Sequence, residues 1–442
     1  MKLKIGTYKK GAVYSSAFSI GSKLTAFVMQ LLIAYYLGAN TGTDIYFYLF
    51  NIAILVGGLV QTLNTSILIP KAMFLRYNES SRAEMQFHNS FLYTFLLLAA
   101  GALLLFCIIG GKQAPEWIMN FPTQDIRSHI SVYYLFFPLT LLIIVNLYVS
   151  EILVSFKYFT LGLSCNFMIN FSGIVALILF GQKADVSIVM YSSCCACLLN
   201  IILLLWFMKK KLRWQFSLVK FALVRSQSKA LTGLAVNQGI IIFASTFPMY
   251  LLSQYQPGII TIINYAQKFI QAPLALIQQI TSVLQIKLNN LYSHGEKEEM
   301  YHVTLRVTLR LFLFTICTSL VIFLLRTFIA EELFGLGKMP YAAMEKLSSL
   351  IGIMTFAMPF TAVSLACMKI YFTEGRIRLY IIIMSLSNLF SCICYYFAIE
   401  TWKEHGYAVV YLFIEFVIMI GIVAYAIAMA ELEKAGEALC QK

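Results

Sequence analysis

Val186-Ser187-Ile188-Val189-Met190-Tyr191-Ser192-Ser193-Cys194-Cys195-Ala196-Cys197-Leu198-Leu199-Asn200-Ile201-Ile202-Leu203-Leu204-Leu205-Trp206-Phe207-Met208, followed at once by Lys209-Lys210-Lys211, decides the fold. None of residues 186–208 is charged. About 20 apolar residues in a helix cross a bilayer, so this run is long enough to span it. The lysines mark the end held in the cytoplasm, because cationic loops are retained on that side. Similar runs occupy 12–37, 43–70, 86–110, 130–155 and 158–181 before it, and 231–254, 260–290, 303–328, 345–371, 377–399 and 406–431 after it. They predict an all-α polytopic membrane protein of about twelve transmembrane helices. Composition agrees, with 60% of 442 residues hydrophobic, 12% charged and a mean hydropathy of +0.79. Soluble domains carry about 25% charged residues, so a soluble fold is excluded.

The Lys209–Lys229 segment divides the chain into an N-terminal six-helix lobe (1–208), a basic amphipathic linker (209–230) and a C-terminal six-helix lobe (231–442). The linker mixes Leu212, Trp214, Leu218, Phe221 and Val224 with Arg213, Lys220 and Arg225, a pattern suited to a helix lying in the cytoplasmic interface. Lysine and arginine also crowd the N-terminus and the loops at Lys71–Arg82 and Arg376–Arg378, whereas Gly38–Thr43, Gly181–Asp185 and Gln254–Gly258 have almost none. Both termini are therefore expected in the cytoplasm. The net charge of +13 is explained by this topology, with no call for nucleic acid. The start Met1-Lys2-Leu3-Lys4 precedes an apolar stretch too long for a signal peptide, which reads as a retained first span. A shift of 216 residues sets Gly42 on Gly258, Thr65-Ser66 on Thr281-Ser282, Leu68 on Leu284 and Lys71 on Lys287. With six spans before the second copy, the repeat is parallel, its pseudo-two-fold axis along the membrane normal, a plan several transporters share.

Polar groups inside the spans carry the functional expectation, since an ionisable side chain there costs about 2.5–3.5 kcal/mol and usually faces a cavity or a partner. Lys23 lies mid-way along the first helix and Lys268 along the eighth. Together they suit an anion, and lysine ammonium groups suit phosphate oxygens. Asn51 and Asn64 of the second helix, Asn237 and Gln238 of the seventh, and Asn264, Gln267 and Gln271 of the eighth supply amides. These amides can bind sugar hydroxyls or glue helices together. Asp44 opens the second helix, as a dipole partner or as a gating or ion-coupling group. Glu151, Lys369 and Glu415 sit nearer span ends, where snorkelling accounts for them. Pro70, Pro248, Pro273 and Pro359 give helices places to bend. The ten cysteines lie mostly in apolar runs, and Cys194-Cys195-x-Cys197 lacks zinc-ligand spacing. No phosphate-cradling loop or Ser/His/Asp constellation occurs, so neither a metal, a cofactor nor catalysis is expected.

Two stretches resemble a known family. Leu37-Gly38-Ala39-Asn40-Thr41-Gly42-Thr43-Asp44-Ile45-Tyr46-Phe47 is similar to the first loop and second helix of MurJ-type flippases. Ile263-Asn264-Tyr265-Ala266-Gln267-Lys268-Phe269-Ile270-Gln271-Ala272-Pro273-Leu274 is similar to their eighth helix. Those proteins belong to the multidrug/oligosaccharidyl-lipid/polysaccharide exporter superfamily, together with the MATE drug antiporters. The resemblance implies a monomeric inner-membrane transporter moving a polyprenyl-diphosphate-linked glycan to the outer leaflet by alternating access, with membrane lipids as partners and a coupling ion left open. It also implies that Lys23 and Lys268 hold the diphosphate and that Asp44 takes the family's acidic position. Met29 and Gly57-Gly58 stand where the family has further cavity arginines. Peptidoglycan members usually add two C-terminal helices, whereas Lys442 follows soon after the twelfth run, so a surface-polysaccharide repeat unit stands beside lipid II as expected cargo. A cation-coupled MATE-type antiporter is the alternative.

Overall fold

The computed structural model describes residues 8–110, 113–217 and 225–440. Regular structure among them is entirely helical: α1 (Tyr8–Tyr36), α2 (Thr41–Leu63), α3 (Ile69–Asn78), α4 (Ser81–Gly110), α5 (Ala114–Ile118), α6 (Thr123–Ser128), α7 (Ile130–Ser155), α8 (Ser164–Phe180), α9 (Val186–Phe207), α10 (Arg225–Leu252), α11 (Ile259–Ser293), α12 (Lys297–Phe328), α13 (Tyr341–Met354), α14 (Ala357–Thr373) and α15 (Ile377–Cys440). A helix satisfies its backbone hydrogen bonds internally, which hydrocarbon demands. Leu97 and Ile108 of α4 are each 74% exposed and Leu324 of α12 is 76% exposed, so lipid must cover these faces.

Ten helical stretches are long and apolar enough to cross a membrane. The α13–α14 pair, bent by 42°, makes an eleventh span. The sequence predicts a single helix over 345–371; the break falls there because Pro359 has no amide to donate to the Thr355 carbonyl and its ring crowds that carbonyl. The last of the ten, Ile377–Ala424, would be about 72 Å long as one straight helix. Instead Lys403 turns at φ 52°, ψ −126°, and Gly406 packs so closely on the Ala398 carbonyl that a Cβ would collide. Lys403 thus divides this long stretch into two helical arms. Pro70 shapes α2 in the same manner: a π-turn, Asn64–Leu68, joins α2 to α3 just ahead of the missing amide.

The chain forms two compact units, residues 1–260 with 337–339, and residues 261–336 with 340–442. In the first, α7 packs against α2 and α9, α1 against α8, and α10 against α2. In the second, α14 packs on α12 and α15, and α13 on the same two helices. The described part of the linker begins with a π-turn, Met208–Leu212, and then Arg213 in the left-handed region. Trp214 follows, 3% exposed, its indole Nε1 donating to Asn89 Oδ1 at 3.0 Å. The interfacial helix expected of the linker is not formed over residues 213–217, where Trp214 turns into the protein because its indole N–H finds Asn89; residues 218–224 lie outside the described residues.

Polar side chains join α7 to α9 in the apolar interior. Asn200 Nδ2 donates to Asn146 Oδ1 at 2.7 Å, and Asn146 Nδ2 donates to the Cys197 carbonyl at 3.0 Å. Replacing Asn200 by leucine removes the donor while leaving the Asn146 carbonyl buried. The expected cost is about 0.6–1.7 kcal/mol, read as a fall in melting temperature of the detergent-solubilised protein. An unchanged melting temperature would show that the pair contributes nothing.

Candidate functional site

In the first unit, three loops converge at the Asn40 end of α2. Asn40 starts α2 with a capping box: its Oδ1 accepts from Thr43 N at 3.1 Å while Thr43 Oγ1 accepts from Asn40 N at 3.0 Å. This turn fixes Asp44 in the first turn of α2, where it is 1% exposed. Its Oδ2 accepts a 2.7 Å hydrogen bond from the backbone N–H of Gly258. Gly258 adopts φ +87°, and a Cβ there would lie 2.7 Å from the Ala39 carbonyl oxygen, so only glycine lets the two loops meet. Residues 337–339 add a third strap, with Lys338 N donating to the Tyr35 carbonyl at 3.1 Å. Gly38, at φ +75°, lies against the Lys338 carbonyl. Asp44 thus acts as the clasp of a tight three-loop knot. A polar cavity of about 390 Å³ opens beside it, lined among others by Asn40, Asp125, His129, Asp185 and Lys338.

The other expected residues of this unit are distributed over α1, α2 and α10. Lys23 is exposed on α1, one residue beyond Ser22, whose carbonyl accepts from Thr25 Oγ1 at 2.9 Å. Asn51 is half-buried on α2. Asn64 is fully buried, donating through Nδ2 to the Tyr148 carbonyl at 3.1 Å, so its amide ties the π-turn to α7. Asn237 is 7% exposed on α10 and Gln238 is half-buried beside it. Sequence reasoning passed over Gln61, whose Nε2 donates to Glu151 Oε1 at 2.5 Å. Glu151 is therefore engaged inside the protein as well as near a span end. The signal was available only as an amide on α2 and a carboxylate on α7, helices whose pairing the sequence does not reveal.

In the second unit the expected residues share one helix, α11. Asn264 is buried; Gln267 Nε2 donates to the Tyr407 hydroxyl at 2.8 Å, tying α11 to α15. Lys268 is half-buried, its Nζ 3.5 Å from Oε1 of Gln271, which is exposed one turn further on. Tyr407 stacks on Tyr395 at 5.3 Å, and Thr361 Oγ1 donates to Glu415 Oε2 at 2.8 Å. The tyrosines and Thr361 escaped the sequence reading because aromatic and hydroxyl residues in a span read as packing.

A family model described as Lipid II flippase MurJ matches residues 33–427. The chain belongs to the MurJ family. The matched region includes Asp44 and Lys268 and starts after Lys23. The probable lipid II flippase MurJ of Buchnera aphidicola subsp. Acyrthosiphon pisum (strain APS) is 26% identical over 349 residues, 74% of this chain. That match spans 66% of the relative's length. A solved lipid II flippase MurJ in an inward closed conformation superposes with a TM-score of 0.77 at 17% identity, covering 93% of this chain and 87% of that one. An inward-facing multidrug resistance MATE family transporter of the MOP superfamily gives 0.74 at 11% identity, covering 93% and 96%. Both share the fold, which is therefore the MurJ/MATE type.

The clasp separates a hydrogen-bonding role for Asp44 from an ionic one. Asp44→Ala removes an acceptor worth about 1.5–3 kcal/mol when charged, leaving the Gly258 N–H buried. A cysteine placed at Gln256, exposed in the clasped turn, should then react faster with a membrane-impermeant maleimide than in the parent. Asp44→Asn keeps an acceptor for Gly258 and should label at the parent rate. Equal labelling in all three proteins would remove the clasp.

Proposed function

We propose that this chain is a flippase carrying a polyprenyl-diphosphate-linked glycan from the cytoplasmic to the outer leaflet of a bacterial inner membrane by alternating access. The observation that carries this reading is the MurJ family match over residues 33–427, which takes in the helix-eight motif and Lys268. Lys268 and Lys23 hold the diphosphate, each presenting a compact positive charge with three donors. The amides of Asn51, Asn237, Gln238, Asn264 and Gln271 meet the glycan, while Asn64 and Gln267 chiefly hold helices in place. Asp44 serves as a gate element, clasping the Gln256–Gly258 turn when the outer end is closed. The halves 1–208 and 231–442 act as parallel repeats around the 209–230 linker, both termini cytoplasmic; the 216-residue register and the lysine distribution support this. The cargo is a lipid II-like precursor or a surface-polysaccharide repeat unit.

Cavity lysines couple to the membrane potential at about 2.3 kcal/mol per charge per 100 mV. A cation-coupled antiporter is the second reading, favoured by two carboxylates on spanning helices that each accept a hydrogen bond, Glu151 from Gln61 and Glu415 from Thr361. Dye efflux that persists without polyprenyl lipids would establish it instead.

In proteoliposomes, K23Q/K268Q should translocate a lipid-linked glycan at the protein-free background rate, with each single variant reduced by roughly tenfold. Full activity of the double variant would overturn the assignment of both lysines.

A further inference from the structure

Helix α11 is divided lengthwise into three faces. Leu274, Ile277, Thr281, Leu284 and Leu288 are buried and hold it in the second unit. Leu276, Ile280, Val283 and Ile286, each between 47% and 71% exposed, form a mainly apolar face that also carries exposed Gln279 and Lys287. The third face reads Asn264, Lys268, Gln271, Ala275, Gln278, Ser282, Gln285 and Asn289, at alternating steps of four and three residues. That spacing keeps a single face of a helix. From Asn264 to Asn289 it runs about 38 Å, more than the hydrocarbon core is thick. Gln271, Gln278, Ser282 and Asn289 are exposed, and Lys268 and Gln285 half-buried.

The lower end of this stripe is tied to the protein, with Gln285 Nε2 donating to Thr373 Oγ1 at 2.8 Å and to Asn289 Oδ1 at 3.0 Å. The middle is not so committed: Ser282 Oγ bonds its own helix at the Gln278 carbonyl, leaving the Gln278 side chain exposed above it. Exposed amides at membrane depth are costly against lipid, so their occupant is polar. Amides offer donors and acceptors together without charge, which matches sugar hydroxyl and acetamido groups. The repeat shares the feature only in part: 216 residues earlier, Thr62 and Ser66 stand at the positions of Gln278 and Ser282, but Ile52, Leu55, Ile69 and Met73 stand at those of Lys268, Gln271, Gln285 and Asn289.

We propose that this stripe is a hydrogen-bonding rail for the glycan of the lipid-linked substrate, running from Lys268 past Gln278 and Ser282, with the polyprenyl chain along the neighbouring Leu276–Ile280–Val283 face. The proposal rests on the flippase reading and gives the glycan a continuous track along one helix, in addition to its contacts with Asn51, Asn237 and Gln238.

The test compares two probes on protein in nanodiscs: a bare polyprenyl diphosphate, and the same lipid bearing a disaccharide. In Q278L/S282A, affinity for the disaccharide lipid should fall roughly tenfold while that for the bare lipid is retained. Q278N/S282T, which keeps an amide and a hydroxyl, should bind both as the parent does, and this controls for folding. Equal losses for the two lipids, no loss for either, or the same loss in Q278N/S282T would overturn the rail. A parent protein that binds neither lipid would instead contradict the flippase reading, and the rail with it.

Discussion

The structure depends on a single constraint: inside hydrocarbon, no backbone polar group can go unpaired. Helices meet that constraint residue by residue, so all the regular structure described is helical. Departures from regular helix then become informative. The π-turn at Asn64–Leu68, the α13–α14 break before Pro359 and the reversal at Lys403 are each traceable to a missing amide or a close glycine contact. Side chains answer to the same rule, which is why Asn146, Asn200 and Asn64 spend their amides on neighbouring helices.

Against that background, the polar groups fall into two kinds. Some close on partners within the protein, as Asp44 does on Gly258, Gln61 on Glu151 and Gln267 on Tyr407. Others stay exposed, notably Lys23, Gln271 and Gln278. The first kind sets which helices and loops stay together; the second is available to a substrate. Asp44 is instructive, because its buried carboxylate holds a loop that only glycine at position 258 allows so close.

Much of the fold was legible in the sequence because lipid imposes long apolar runs, and the run at 186–208 predicts α9 almost to the residue. The family was legible in Leu37–Phe47 and Ile263–Leu274, short stretches in which glycine, asparagine and a single charge have fixed spacing. Bends were less legible: Pro359 marks a break in one helix, whereas Pro138, Pro248 and Pro273 lie inside continuous ones. Pairings across helices were illegible, since nothing in the order of residues says that Thr361 faces Glu415 or that α10 packs on α2. The role of Asp44 was half readable: its place at the helix start follows from Asn40, but its Gly258 partner lies 214 residues away.

The most direct measurement is mass spectrometry of the lipids that co-purify with the protein from its native membrane. A polyprenyl-diphosphate glycan enriched over bulk phospholipid, and lost on replacement of Lys23 and Lys268, is the expected result, and its mass would name the glycan. Bulk phospholipid alone, from preparations in which the protein remains folded, would contradict the flippase assignment.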